Sequence, residues 1–141
     1  MNKLKIYIST LEIESYGSLQ IPLIAKKFID ELQKNEFELF IPLKWRDYSI
    51  IEKEIDECSA LIALVDKYWT SSTWKASEVT YAACGVGAFS KNELFTPKPT
   101  FIYFLEKMEP CGFMHSINKL IYLPEDFNKA CNIIKSNLNL D

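Results

Sequence analysis

The chain carries one histidine and four cysteines. Cys58, Cys84, Cys111 and Cys131 are widely spaced, with no Cys-x-x-Cys pair and only His115 as a partner for a metal. That spacing argues against a zinc site, and no metal or cofactor is expected. Free buried thiols in a reducing cytosol are expected instead. Also missing are Gly-x-Ser-x-Gly, the phosphate-binding loop, Gly-x-Gly-x-x-Gly and His-Glu-x-x-His, and His115 has no serine or cysteine at a recognisable spacing. A hydrolase triad, a kinase and a zinc peptidase therefore have no support. No apolar run approaches the ~18–20 residues that a bilayer span requires. The opening MNKLKIYIST moves at once into a strand-like pattern, without a signal-peptide core, so a cytoplasmic chain with no membrane segment is expected. Excess positive charge is absent as well. A net charge of -3 and a pI near 5.3 argue against a nucleic-acid partner. Without repeats, low-complexity tracts or linkers, 141 residues that are 48 % hydrophobic read as a single domain, 1–141, with enough chain for a core.

Periodicity places the elements. Residues 3–8 (KLKIYI) alternate and are rich in β-formers, predicting a first strand, and 9–20 are polar and read as a loop. Pro22 suits a first helical turn, and Ile21, Ile24, Ala25, Phe28, Ile29 and Leu32 then recur at helical spacing. Residues 37–41 read as a second strand stopped by Pro42, and 43–49 (LKWRDYS) as a loop. Ser49 is expected to cap a short helix containing Ile51, Ile55 and Cys58, with Glu52 at the capping-box position. Residues 60–65 (ALIALV) form a continuous apolar run, as in a strand covered on both faces. A helix over 75–88, ending near Gly85 or Gly87, a loop over 90–99 and strands over 100–105 and 119–123 follow. Residues 125–138 read as a final amphipathic helix, with Phe127, Ala130, Cys131, Ile134 and Leu138 inward. Strands alternating with helices predict an α/β fold, a parallel five-stranded sheet with helices on both faces.

In such sheets ligands bind beyond the carboxyl ends of the strands. The loops there start at Ser9, Pro42, Asp66 and Glu106. Tyr16 lies in the first, Trp45, Arg46 and Tyr48 in the second, and Tyr68 and Trp69 in the third. This clustering suggests a binding crevice, although aromatics also cap sheet edges. The stretch 65–79, VDKYWTSSTWKASEV, carries the strongest signal. Trp74 and Glu78 are about one helical turn apart and share a face near a helix start. Cleavage of an N-glycosidic bond passes through an oxocarbenium-like state that a carboxylate beneath the sugar stabilises or attacks. Glu78 sits among Ala76, Val79, Ala82 and Ala83, so partial desolvation is expected to raise its pKa. The plainer reading is an exposed glutamate in a first helical turn, favoured by the helix dipole, where a neutral replacement forfeits only ~0.3–1 kcal/mol.

The remaining candidates are equally two-sided. Trp74 either stacks on a base or ribose or packs the helix start. Ser72 reads first as a helix N-cap and second as a substrate contact. Arg46 and Lys44 either pair with a diphosphate or are solvated loop charges. Ser9 and Thr10, at the end of the first strand, are expected near the Glu78 carboxylate. Glu54, Asp56 and Glu57 are expected to form a solvated acidic helix face.

Over nearly its whole length the chain resembles the TIR (Toll/interleukin-1 receptor-like) domains. KIYIST resembles the family's opening strand, and ALIALV, DKYW and SSTWKASEV are similar to its apolar strand, tyrosine-containing turn and Ser-x-Trp followed four residues later by Glu-Leu. Ser72, Trp74 and Glu78 match in register, with Val79 in place of leucine. The resemblance implies a flavodoxin-like TIR fold. It also implies cleavage of the nicotinamide–ribose bond of NAD with Glu78 as the catalytic residue, NAD being substrate rather than cofactor. ADP-ribose, a cyclic isomer or a base-exchanged conjugate would be released. A free-standing catalytic TIR domain resembles the signal-producing subunits of bacterial antiphage systems such as Thoeris, where a separate effector protein reads the nucleotide. The resemblance further implies a homo-oligomer or TIR–TIR assembly, no attached receptor or sensor module, and low activity of the isolated monomer. The loop LKWRDYS is short and lacks the family's usual glycine, and Lys75 stands where a cysteine often follows the tryptophan. Two alternatives stay open. One is a TIR module that binds partners without catalysis. The other is a nucleoside 2-deoxyribosyltransferase-like N-glycosidase. EVTYA (78–82) resembles that family's Glu-x-Gly-Tyr-Ala, with Thr80 replacing its glycine.

Overall fold

The computed structural model describes residues 4–10, 23–42, 48–70, 72–85, 97–117 and 119–138, with the backbone alone at 48, 49, 73 and 74. Five strands, β1 (Lys5–Ser9), β2 (Glu38–Phe40), β3 (Ala60–Val65), β4 (Thr100–Phe104) and β5 (Leu120–Tyr122), form one sheet. Its order is β2-β1-β3-β4-β5 and every pairing is parallel. This is the flavodoxin-like arrangement, with the strand order reversing beside β1 and β3. Among the described residues the helices are α1 (Leu23–Lys34), α2 (Tyr48–Asp56), α3 (Lys67–Thr70), α4 (Thr73–Cys84), α5 (Gly112–His115) and α6 (Phe127–Asn137).

Alternation along the strands sorts the core into two layers. Ile6, Ile8, Ile62, Leu64, Phe101 and Tyr103 pack with Ala25, Phe28 and Leu32 of α1 and with Ala130, Cys131 and Ile134 of α6. Phe28 centres this layer, its ring 4.2 Å from that of Tyr103 and 5.4 Å from that of Phe127. Tyr7, Leu61, Ala63, Val65 and Ile102 face the other way, towards Ile51 and Ile55 of α2, Trp69 of α3, Val79 and Ala82 of α4 and Met114 of α5. All six residues of β3 are buried, as a strand covered on both faces requires.

Several boundaries differ from those that periodicity predicts. Ser9 is not in a loop but ends β1, paired in register with Ala63 of β3. The second helix begins at Tyr48, so Ser49 lies inside it rather than capping it. The helix predicted over 75–88 runs from Thr73 to Cys84. It stops because Gly85 adopts φ 76°, a left-handed conformation that glycine enters without strain, and returns its N–H to the Tyr81 carbonyl. The last helix starts at Phe127 because the Asp126 side chain accepts the Lys129 N–H. The one-turn helices α3 and α5 have no counterpart among the predicted elements. Pro22, Tyr16, Lys44, Trp45, Arg46 and the loop over 90–96 lie outside the described residues.

The Glu78 carboxylate and its surroundings

Two caps set the geometry. Asp66, just past β3, accepts the backbone N–H of Trp69 at 2.8 Å and starts α3. This turn carries the Trp69 indole into the interior, where it is fully buried and stacked near Phe113. Ser72 has extended backbone, and its hydroxyl accepts the Lys75 N–H at 3.3 Å, starting α4. Lys75 and Glu78, three residues apart, then share a helix face.

That face lies against β1. Tyr7 and Ser9 are two residues apart on a strand and point to the same layer. The Tyr7 hydroxyl donates to Glu78 Oε1 at 2.9 Å, and the Ser9 hydroxyl donates to Glu78 Oε2 at 2.8 Å. Lys75 Nζ donates to Oε1 at 3.3 Å. Behind Ser9, Trp69 Nε1 donates to the serine oxygen at 3.2 Å, which leaves the single Ser9 proton for Glu78. Glu78 is 0% exposed and Lys75 1%. The carboxylate and its counter-charge are therefore both withdrawn from water. Burial pushes the Glu78 carboxyl above its ordinary range, while the Lys75 ammonium and then the Ser9 and Tyr7 hydrogen bonds act against that rise.

The candidate residues divide accordingly. Glu78 and Ser9 are joined by a hydrogen bond. Thr10 is buried beside Ser9 but makes no hydrogen bond to Glu78, and its Oγ1 has no partner among the described residues. Ser72 acts as the N-cap of α4. Trp74 lies in the first turn of α4, but its side chain, like the whole of Trp45 and Arg46, is outside what the structure describes. An exposed glutamate in a first helical turn is ruled out, because Glu78 is buried and is the sixth residue of α4. Tyr7 and Lys75 were not assigned to this site from the sequence, and Trp69 was placed only among the crevice aromatics. The parity of Tyr7 with Ser9 and the spacing of Lys75 from Glu78 were available signals.

Two other expectations change. Cys58 and Cys131 are buried, but Cys84 is exposed at the end of α4 and Cys111 is half-buried. Asp56 is not merely solvated, because it accepts the Tyr81 hydroxyl at 2.6 Å and so ties α2 to α4. Among the described residues, no group of three or more His, Cys, Asp or Glu is arranged to hold a metal, and no helix is long and apolar enough to cross a membrane. A surface cavity of about 330 Å³ opens at the carboxyl ends of β4 and β5, lined in part by Tyr103, Phe104, Lys107 and Leu123. Glu78 does not line it.

An enclosed carboxylate at the carboxyl end of a central strand can do two things. It can stabilise or attack a cationic carbon brought against it, or it can brace the helix to the sheet. No protein-family model matches the chain, and a search of curated proteins returns no match.

Proposed function

We propose that this chain is a TIR domain that cleaves the nicotinamide–ribose bond of NAD, with Glu78 as the catalytic carboxylate. The observation that carries the reading is the fixed position of Glu78 over the last residues of β1, held by Tyr7, Ser9 and Lys75. The C–N bond electrons leave with nicotinamide, which departs neutral. The ribose carbon is left with oxocarbenium character, opposed by the Glu78 anion. Water at that carbon gives ADP-ribose and a proton, an internal nucleophile gives a cyclic isomer, and an added base gives a conjugate. Ser9, Thr10, Trp45, Arg46, Ser72 and Trp74 are the proposed substrate contacts. Production of such a nucleotide signal for a separate effector in antiphage defence is the role that the TIR resemblance suggests.

The full burial of Glu78 and Lys75 favours a second reading, a structural ion pair in a non-catalytic TIR interaction module. The test is to incubate the protein with NAD at low and high protein concentration and identify products by mass spectrometry. The parallel samples are Glu78→Gln and Lys75→Met/Glu78→Gln. Release of nicotinamide by the wild type alone supports the enzyme. Equal release by a folded Glu78 variant, or none from any sample, supports the structural pair. An arm with a 2′-deoxynucleoside and a free acceptor base tests the transferase alternative.

A further inference from the structure

We propose that Lys75 is a positioning residue that holds Glu78 in its anionic form. The inference rests on the reading of Glu78 as the carboxylate beneath the sugar, since only the anion opposes an oxocarbenium ion. It deepens that reading by naming the group that sets the charge.

The partners of Glu78 differ in which charge state they tolerate. The Tyr7 and Ser9 hydroxyls both donate to Glu78. A hydroxyl also accepts, so either could turn and receive a proton from a neutral carboxylic acid. Even with Trp69 Nε1 bonded to it, the Ser9 oxygen keeps a second lone pair. These two partners fix the position of the carboxyl group and favour the anion while they donate, but either can turn and accommodate the acid. Lys75 cannot, because an ammonium is donor-only and positively charged. At 3.3 Å from Oε1 it favours the anion and opposes the acid. Water contributes nothing at this point, since neither side chain has appreciable exposed surface.

The titratable groups on the other packed elements, among the described residues, are few. Within β3, ALIALV has no titratable residue. Asp66, which follows it, is bonded to the backbone of Trp69. The α2 carboxylates are Glu52, Glu54 and Asp56, the last bonded to Tyr81 of α4. In α3, Lys67 and Tyr68 are exposed. On β4, Tyr103 faces the opposite layer and bonds the Glu125 carbonyl. Lys75 itself is held through both its backbone and its side chain. Its backbone N–H is the group that Ser72 caps, and its ammonium reaches the carboxylate one turn on. The cap that starts the helix thus also fixes the counter-charge.

The experiment follows the Glu78 side-chain carboxyl carbon by NMR across the neutral range in the wild type, Lys75→Met and Lys75→Arg. The double variant Lys75→Met/Glu78→Gln assigns the signal. NAD consumption is measured over the same range. Lys75→Met is expected to raise the carboxyl midpoint by about 1–3 units, as loss of a nearby opposite charge does. Lys75→Arg is expected to restore it, and the acid limb of activity to move with it. An unchanged midpoint in folded Lys75→Met overturns the proposal, even if the variant melts earlier, because a purely structural lysine lowers stability without moving the titration. If Lys75→Met does not fold, the wild type decides. An ionised Glu78 at neutral pH whose titration perturbs the Lys75 ammonium supports the proposal, and a protonated Glu78 overturns it. A shifted carboxyl midpoint in protein that consumes no NAD keeps the role of Lys75 and removes the NAD reading. NAD consumption with an unshifted midpoint does the reverse.

Discussion

Glu78→Gln is a more severe substitution than a helix-start glutamate would suggest. The side chain keeps its size, but the buried Lys75 ammonium then faces a neutral amide. Breaking one half of a buried ion pair costs about 3–5 kcal/mol, against ~0.3–1 kcal/mol for a lost dipole interaction. The expected outcome is a large fall in the denaturation midpoint and a loss of NAD consumption of about 10²–10⁴-fold or more. Loss of activity alone would therefore be ambiguous. The companion variant Lys75→Met/Glu78→Gln removes both charges and should recover much of the stability while recovering no activity. Denaturant unfolding of the four proteins in the cycle gives the coupling energy. A single Glu78→Gln variant as stable as the parent would show that the pair is not coupled. At this scale the sequence singles out Glu78 as a candidate but does not show its state. Ser72, Trp74 and Glu78 stood out by spacing, and small apolar neighbours pointed to desolvation. Full burial was not legible, because it depends on α4 lying across β1, a contact between residues about seventy positions apart.

Elements hold α4 in that place, and α2 is the chief one. The Tyr81 hydroxyl on α4 donates to Asp56 at the end of α2. Lys98, entering β4, donates its backbone N–H to the Ala82 carbonyl of α4 at 2.7 Å. Its ammonium reaches the carbonyls of Ile55 at 2.6 Å, Asp56 and Cys58. One lysine therefore closes the carbonyl end of α2 and spans to α4. Lys98→Met is expected to lower stability by about 1.5–3 kcal/mol, as loss of charged hydrogen bonds does, measured by urea unfolding. The turn after α2 also buries Cys58, whose thiol is pushed up to about 11 by desolvation against the pull of Lys5 and Lys98. Because the folded value lies above the unfolded one, the neutral buried thiol stabilises fully below pH 9.0 and that contribution is lost as pH rises through about 11. Cys58→Ala should flatten the decline in stability over that window. At neutral pH a maleimide should label exposed Cys84 and spare Cys58 in the native protein. Modification of Cys58 before Cys84 would contradict this. The longer elements were legible because their periods were clean: Ala25, Phe28 and Leu32 in α1, and Ala130, Cys131 and Ile134 in α6, are buried at helical spacing. One-turn helices have no period to read, so α3, and with it the path of Trp69 to Ser9, was not predicted from the sequence.

The whole molecule poses the remaining problem, access. A sugar carbon must come within ~3–3.5 Å of a Glu78 oxygen for the anion to act on it. In the single chain Glu78 has no exposed surface. On the proposed reading, catalysis would therefore require a rearrangement, and the contacts differ in how readily they yield. Tyr7 and Ser9 belong to β1, a strand paired on both sides. Their displacement would disturb the centre of the sheet. Lys75 sits at the end of a flexible four-carbon stem in the first turn of α4, beside the one-turn helix α3. Opening on that side leaves the sheet intact, but it moves a buried ammonium and so is unfavourable in the isolated chain. Binding energy from a neighbouring copy could offset this cost, since a partner that binds only the open form shifts the population towards it. The expected outcome is NAD turnover per mole of protein that is low at nanomolar concentration and rises as copies associate. Parallel light scattering would locate the association. Amide exchange along α3 and the start of α4 should quicken over the same concentration range, while that of β1 and β3 stays slow. Turnover per mole that stays constant from dilute monomer upward would show that the single chain opens unaided. Association without any gain in turnover would leave the Glu78–Lys75 pair as a brace between α4 and the sheet.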